Sequence, residues 1–210
     1  MTATPVMRAS KLTTVAFDLY GTLIHHKDDR QTYQRLFDAL SVDKKKAKTL
    51  ALTESFPDLA SFVHRLRPES TLDLRPFEDD LAREIASTRT YDDTHRTLAT
   101  LRSKGIRLGV ISNLATPYAR PFFTLGIDKL VDIHVFSCEV GLKKPDRAIY
   151  AHLLTLAKAR SDQALMIGDS MPCDVVGPRC AGLRAVHLNR DGPYNAGSVT
   201  TLTDIIDYCR

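Results

Sequence analysis

Short apolar runs alternate with amphipathic stretches of helix length, and this alternation restricts the fold more than any other feature of the sequence. Five runs have the length and composition of buried β-strands, at residues 15–17, 106–111, 131–136, 164–167 and 184–188. The stretches between them carry apolar residues at helical spacing, as at Leu98, Leu101, Ile149 and Leu153. Strands joined by helices form parallel sheets that are covered on both faces. The sequence therefore predicts an α/β fold with helices flanking a parallel sheet.

The segment between the first two predicted strands differs from the rest of the chain. Residues 24–90 contain no glycine, and their apolar positions follow helical spacing, as at Leu59, Phe62 and Val63. This pattern predicts a helical insertion after the first strand. We expect a core of residues 1–24 and 91–210 and an inserted helical domain of residues 25–90.

Composition and charge exclude several classes of protein. Of the 210 residues, 43% are hydrophobic and 26% are charged, which is typical of a globular domain. The net charge is +4, and the densest basic run, residues 43–48, contains no aromatic residue. We interpret that run as a solvated helix face and predict no nucleic-acid partner. The basic balance suits a small anionic substrate.

Nothing in the sequence indicates export or membrane insertion. The first ten residues lack the apolar segment of a secretory signal, and no window approaches the roughly 18 consecutive apolar residues of a membrane span. The cysteines form no Cys-x-x-Cys pair and are expected to be reduced thiols; they are Cys138, Cys173, Cys180 and Cys209. We expect a cytoplasmic protein without a membrane partner, as a monomer or homodimer.

Polar clusters stand where predicted strands end, at the edge where ligands bind in such sheets. They are Asp18-Leu19-Tyr20-Gly21-Thr22, Ser112-Asn113, Lys143-Lys144-Pro145-Asp146, and Gly168-Asp169 with Asp174. Each alone has a structural explanation, because Asp, Ser and Thr commonly occupy turns and helix caps. Together they bring a nucleophile, a hydroxyl donor, a fixed cation and a carboxylate pair to one edge, which favours a catalytic site.

These clusters resemble the four motifs of the haloacid dehalogenase-like superfamily, over residues 15–188. The resemblance implies a hydrolase with a Rossmann-like core and a helical cap inserted after the first motif. In such an enzyme Asp18 would be the nucleophile. Thr22 and Ser112 would donate hydroxyl hydrogen bonds, and Lys144 would offset developing negative charge.

The resemblance also implies a cofactor, Mg²⁺. Its ligands would be Asp18, the backbone carbonyl of Tyr20, Asp169 and Asp174. Oxygen ligands of this kind suit Mg²⁺, and a cation would offset the like charges of the carboxylates. Tyr20, Gly21 and Asn113 are expected to contact the substrate, since a glycine permits a tight turn whose N–H groups can hold an anion.

Two positions point to different branches of the superfamily. Its phosphatases carry a second Asp two residues after the nucleophile as general acid and base, but Tyr20 stands there in this chain. The resulting Asp-x-Tyr-Gly-Thr form is similar to that of 2-haloacid dehalogenases. Asp169 with Asp174, in contrast, is the phosphatase form of the fourth motif. A carboxylate pair with Mg²⁺ suits a phosphoryl oxygen and repels a 2-halocarboxylate, so we give it more weight.

We therefore predict a Mg²⁺-dependent phosphatase of a small phosphorylated metabolite, acting through an aspartyl-phosphate on Asp18. A missing acid/base group costs about 10²- to 10⁴-fold in rate, which favours a leaving group that needs no proton. The alternatives are a 2-haloacid dehalogenase, in which Asp18 displaces halide, and a non-catalytic binding protein of the same fold. Specificity is expected in the cap and in the loop that carries His25 and His26.

Overall fold

A computed structural model describes residues 10–192 and 197–209. The strands are β1 (Thr14–Phe17), β2 (Ile24–His26), β3 (Thr88–Thr90), β4 (Arg107–Ser112), β5 (Ile133–Phe136), β6 (Ala164–Gly168), β7 (Arg184–Leu188) and β8 (Ser198–Val199). The helices are α1 (Thr32–Leu40), α2 (Lys44–Thr53), α3 (Leu59–Leu66), α4 (Arg75–Ala86), α5 (Thr94–Ser103), α6 (Arg120–Thr124), α7 (Ser137–Val140), α8 (Arg147–Ala157), α9 (Gly177–Cys180) and α10 (Ile205–Tyr208). Among these residues, every helix is too short or too polar to cross a lipid bilayer. The prediction about a secretory signal falls on residues 1–9, outside the described residues.

The main sheet has the strand order β5-β4-β1-β6-β7-β8, and every neighbouring pair is parallel. Strand β1 lies at the centre, where Phe17 pairs with Val110 of β4 and with Ile167 of β6. The carboxyl ends of these three strands therefore reach the same edge. The five predicted strands correspond to β1, β4, β5, β6 and β7, and the predicted α/β fold class is confirmed.

Helices cover both faces of this sheet, as the apolar runs predict. Alternate residues of β1 face opposite ways: Val15 and Phe17 join a cluster that includes Leu98 of α5. Ala16 joins a second cluster, which includes Ile149 of α8. Both clusters are fully buried at these positions, so β1 is anchored from two sides and the residue after it has a fixed place.

A small antiparallel hairpin joins the inserted helices to the sheet. Strands β2 and β3 pair with each other, with His25 opposite Arg89, and α1 to α4 lie between them in the chain. These helices share an apolar cluster with Phe62 at its centre, and Ala115 and Tyr118 of the core pack against it. We propose that this hairpin connects a cap to the core. The domain boundaries at residues 25 and 90 stay a prediction.

Two neighbouring phenylalanines of α6 test this burial pattern. Phe122 is fully buried and its ring lies 5.2 Å from that of Phe136, at the end of β5. Phe122→Ala should lower the free energy of unfolding by about 3–5 kcal/mol, because it leaves a cavity in the core. Phe123 is 46% exposed, and Phe123→Ala should cost about 1 kcal/mol or less. Urea denaturation measures both, and equal losses would contradict the packing described here.

Candidate active site

Asp18 stands at the carboxyl end of the central strand, where the chain turns sharply. Its N–H donates to the carbonyl of Ile167 in β6 at 2.9 Å, which continues the sheet for one residue past β1. Gly21 then adopts a φ of +79°, a conformation that favours glycine, and Leu23 N donates to the Leu19 carbonyl at 2.8 Å. The turn leaves Asp18 buried at the sheet edge, with 7% of the residue exposed.

Lys144 joins two carboxylates in the interior. Its Nζ lies 2.7 Å from Asp18 Oδ1 and 2.7 Å from Asp174 Oδ1, and its side chain is 2% exposed. Burial alone would lower the pKa of Lys144, but the two carboxylates outweigh it and raise that pKa above its usual value. Lys144 is therefore a permanent cation beside the candidate nucleophile.

Asn113 fixes the backbone of this lysine. Its Nδ2 donates to the Lys144 carbonyl and its Oδ1 accepts from the Lys144 N–H, both at 2.8 Å. The sequence predicts a substrate contact for Asn113, whereas both ends of its amide are engaged here with Lys144. In this structure both groups of the Asn113 amide hold the backbone of Lys144 in place. Asn113 also lines the cavity described below.

The fourth cluster places its carboxylates around a glycine. Asp174 Oδ2 accepts from the Ser170 N–H at 3.0 Å, and a Cβ at position 168 would lie 2.3 Å from that oxygen. Only glycine therefore fits at Gly168. Burial raises the pKa of Asp174, with the contact to Lys144 acting against the rise and the Asp18 carboxylate adding to it.

Three carboxylates form a group that fits a hard divalent cation. One oxygen each from Asp18, Asp169 and Asp174 lies within 4.8 Å of the others. Among the residues that the structure describes, no hydrogen bond reaches Asp18 Oδ2, the Asp169 carboxylate or the Tyr20 carbonyl. Partial burial and the charge of Asp18 raise the pKa of Asp169, as expected where negative charge exceeds positive. Open oxygen donors with excess negative charge suit Mg²⁺.

Space around this group depends on Gly21. A Cβ at position 21 would lie 2.5 Å from Asp169 Oδ2, closer than any side chain permits. Gly21 thus has two effects. It permits the left-handed turn after β1, and it leaves room for Asp169 of the fourth cluster to approach the first cluster. Three of the predicted metal ligands, the carboxylates, lie close together here.

The two predicted hydroxyl donors lie at the same edge. Ser112 is the last residue of β4, next to β1, and is 2% exposed. Thr22 is fully buried, and its Oγ1 finds no partner within residues 10–192 and 197–209. Arg190 donates to the Thr22 carbonyl at 2.8 Å and also pairs with Asp93. An unpaired buried hydroxyl in this position has a donor available for a ligand.

Tyr20 points away from the carboxylates. Its hydroxyl donates to the Tyr118 carbonyl at 3.0 Å, and its ring lies 4.7 Å from that of His26. Burial is the main cause that raises the pKa of Tyr20 above its ordinary value. The phenol therefore forms part of the lining of the neighbouring cavity. Its position and its raised pKa do not suit a general acid.

That cavity lies between the inserted helices and the core, with a volume of about 320 Å³. Sequence reasoning missed most of the residues that line it, among them Glu84 of α4, which is only 3% exposed. The available signal was its spacing from Leu81, three residues earlier on the buried face of the same helix. Of the two histidines, His26 lines the cavity, whereas His25 packs on Tyr91 with ring centroids 4.6 Å apart.

Comparisons with known proteins identify the family. A sequence model of haloacid dehalogenase-like hydrolases matches residues 12–182. The phosphoglycolate phosphatase of Rhodospirillum rubrum is 32% identical over 203 residues, which cover 83% of this chain and 78% of that protein. The glyceraldehyde 3-phosphate phosphatase of Methanothermobacter thermautotrophicus is 34% identical over 109 residues, and that match spans 51% of this chain and 48% of that protein.

A solved structure shares the fold over nearly the whole chain. The crystal structure of a HAD phosphatase from Thermococcus onnurineus superimposes with a TM-score of 0.69 at 23% sequence identity. The superposition covers 94% of this chain and 97% of the other. At this level of identity the similarity concerns the fold.

The buried lysine gives a direct test of the ion cluster. Lys144→Met leaves Asp18 and Asp174 buried without a cation, and breaking such a pair costs about 3–5 kcal/mol of the free energy of unfolding. The matched control is Lys143→Met, because Lys143 contacts only Thr49 Oγ1 among the described residues; we expect a loss of about 1 kcal/mol or less. Urea denaturation at neutral pH without divalent cations measures both. Similar losses in the two variants would refute the role of Lys144.

Proposed function

Because the chain belongs to the haloacid dehalogenase-like hydrolases, we propose that it is a Mg²⁺-dependent phosphatase of a small phosphorylated metabolite, acting through Asp18. The observation that carries this proposal is the group of three carboxylates around one buried ammonium, with Lys144 2.7 Å from Asp18. The activities of the relatives, a phosphoglycolate phosphatase and a glyceraldehyde 3-phosphate phosphatase, support a phosphorylated substrate.

In the first step, Asp18 is the nucleophile. Asp18 Oδ2 attacks phosphorus while the bond from phosphorus to the leaving oxygen breaks, and the electron pair departs with the leaving group. Lys144, held on Asp18 Oδ1, offsets negative charge beside the reacting atoms. The hydroxyl groups of Ser112 and Thr22 would donate hydrogen bonds to the phosphoryl oxygens.

In the second step, water attacks the phosphorus of the aspartyl-phosphate. The bond to Asp18 breaks, the carboxylate is restored, and inorganic phosphate leaves as H2PO4⁻, with the oxygen and both protons of the water. Asp18, the Tyr20 carbonyl and Asp169 would hold Mg²⁺, with Asp174 behind them. When bound, Mg²⁺ supplies positive charge that offsets the phosphoryl oxygens and the carboxylates.

Tyr20 determines which leaving groups are suitable. The position that would carry the general acid holds a buried phenol whose hydroxyl is already donated to the Tyr118 carbonyl. Burial raises the pKa of Tyr20, so this phenol does not supply a proton. A leaving group must therefore depart as an anion, as a carboxylate or a phenolate does.

We expect a strong dependence on the leaving group. Acetyl phosphate and p-nitrophenyl phosphate should be hydrolysed about 10²- to 10⁴-fold faster than glycerol phosphate, in kcat/KM, since only the alkyl leaving group needs a proton. Tyr20→Phe should leave this ratio within about tenfold of its original value, because the phenol is not the acid. Inorganic phosphate release measures the rates. A ratio near unity, or its collapse in Tyr20→Phe, would show that an acid is present after all.

The nucleophile and the metal have separate tests. Asp18→Asn should reduce phosphate release from acetyl phosphate by more than about 10³-fold, because the attacking oxygen is lost. Its matched control is Asp79→Asn, an exposed position on α4, which should retain full activity. In the native chain, EDTA should stop phosphate release and excess Mg²⁺ should restore it. Full activity of Asp18→Asn would end the proposed mechanism.

Tyr20 also favours a second candidate, a 2-haloacid dehalogenase. There Asp18 would attack carbon, halide would leave without a proton, and water would hydrolyse the resulting ester. Chloride release from 2-chloropropionate that continues in EDTA would establish this activity and remove the first proposal. If neither phosphate nor chloride is released, the chain is a non-catalytic binding protein of the same fold.

A further inference from the structure

The cavity between the inserted helices and the core lies beside the candidate active site. Tyr20 of the first cluster and Asn113 of the second line it, and these two residues are close in sequence to Asp18 and Ser112. A substrate with its phosphoryl group at Asp18 therefore extends its leaving group toward this space. We call it the leaving-group pocket.

The walls of the leaving-group pocket are largely aromatic and aliphatic. Tyr33 and Phe37 of α1 face Tyr118 of the core, with the Tyr33 ring 5.8 Å from that of Tyr118 and 5.9 Å from that of Phe37. Ala51 and other apolar side chains complete the lining. Its volume of about 320 Å³ lies near the lower end for small-molecule sites. Such a space fits one aromatic ring better than a small, strongly hydrated group.

A buried carboxylate interrupts this apolar lining. Glu84 Oε2 accepts hydrogen bonds from Thr32 Oγ1 at 2.7 Å and from the Tyr118 hydroxyl at 3.0 Å. Its second oxygen, Oε1, receives no hydrogen bond from any described residue, and no described cation pairs with Glu84. Oε1 keeps accessible surface and Glu84 lines the pocket, so a ligand that brings a donor can bond to this oxygen.

The charges around the pocket favour a cationic donor over an anionic group. Glu84 is 3% exposed, so water screens its charge poorly. Lys48 also lines the pocket, but it is an exposed residue whose charge is screened by solvent and salt. The buried carboxylate therefore has the stronger influence on what enters, and it disfavours a leaving group that carries its own carboxylate.

We propose that the leaving-group pocket binds an aromatic leaving group that carries a protonated amine directed at Glu84. This inference rests on the proposed phosphatase function and names its substrate class as aryl phosphates with a cationic substituent. The bond between phosphorus and the phenolic oxygen breaks, and the phenolate leaves with the electron pair. Phenols have pKa values near 10, so the phenolate departs without the acid that Tyr20 does not provide and takes a proton from water afterwards.

Binding of the dephosphorylated product tests the pocket without any catalysis. Ligand-observed NMR titrations compare tyramine, which has ring and amine, with 4-ethylphenol, which lacks the amine, and with ethanolamine, which lacks the ring. Tyramine should bind at least about tenfold more tightly than either, since a charge-assisted hydrogen bond and ring burial each contribute at least that factor. Equal affinity of tyramine and either partial ligand, or no binding of tyramine, overturns the proposal.

Variants of α4 identify the group that recognises the amine. Glu84→Gln should weaken tyramine to the affinity of 4-ethylphenol, whereas Glu78→Gln, an exposed position on the same helix, should bind it as the native chain does. Retained preference for tyramine in Glu84→Gln would contradict the assignment. Should that variant fail to fold, the three-ligand comparison on the native chain decides.

The two proposals fail in distinguishable ways. If acetyl phosphate is hydrolysed but tyramine binds no better than ethanolamine, the phosphatase function stands and the pocket assignment is wrong. If tyramine binds selectively but neither acetyl phosphate nor O-phosphotyramine releases phosphate, the pocket stands and the phosphatase function is wrong. Support for both requires that O-phosphotyramine exceed phenyl phosphate in kcat/KM by about tenfold.

Discussion

An ammonium group buried between two carboxylates is the interaction on which the candidate site depends. Lys144 precedes α8, Asp18 follows β1, and Asp174 lies in a short π-helical segment (Met171–Val176) after β6. Removing any of these charges from water is costly, and only their mutual contact compensates. The ion cluster therefore locks three separate segments in one arrangement, with a cation held beside the candidate nucleophile.

The sheet makes this contact possible because its central strands end level with one another. Phe17 pairs with both Val110 and Ile167, so the residues that follow β1, β4 and β6 emerge side by side. Two glycines then remove the side chains that would keep the carboxylates apart: Gly21 admits Asp169, and Gly168 admits Asp174. The close approach of like charges that results is what makes a divalent cation a suitable partner.

The strand–helix alternation and the four polar clusters were predictable, because buried strands and their polar ends leave short, local patterns. The hairpin of β2 and β3 and strand β8 were not, since three or two residues are too few to show a period. Glu84 was missed because a charged residue on a helix usually faces solvent. The cavity depends on how the inserted helices rest on the core, through long-range contacts such as Lys143 with Thr49, which local periodicity does not encode.

Tyr118 links Tyr20, in the first motif, to Glu84, in the leaving-group pocket. The Tyr20 hydroxyl donates to the Tyr118 carbonyl, and the Tyr118 hydroxyl donates to Glu84. This chain of contacts joins the first motif to α4 of the inserted helices. A carboxylate in place of Tyr20 would carry a second negative charge toward Glu84 and remove an aromatic wall of the pocket. A first motif without a general acid and an aromatic pocket with one buried carboxylate would both favour the leaving group that we propose, a phenolate with a cationic substituent.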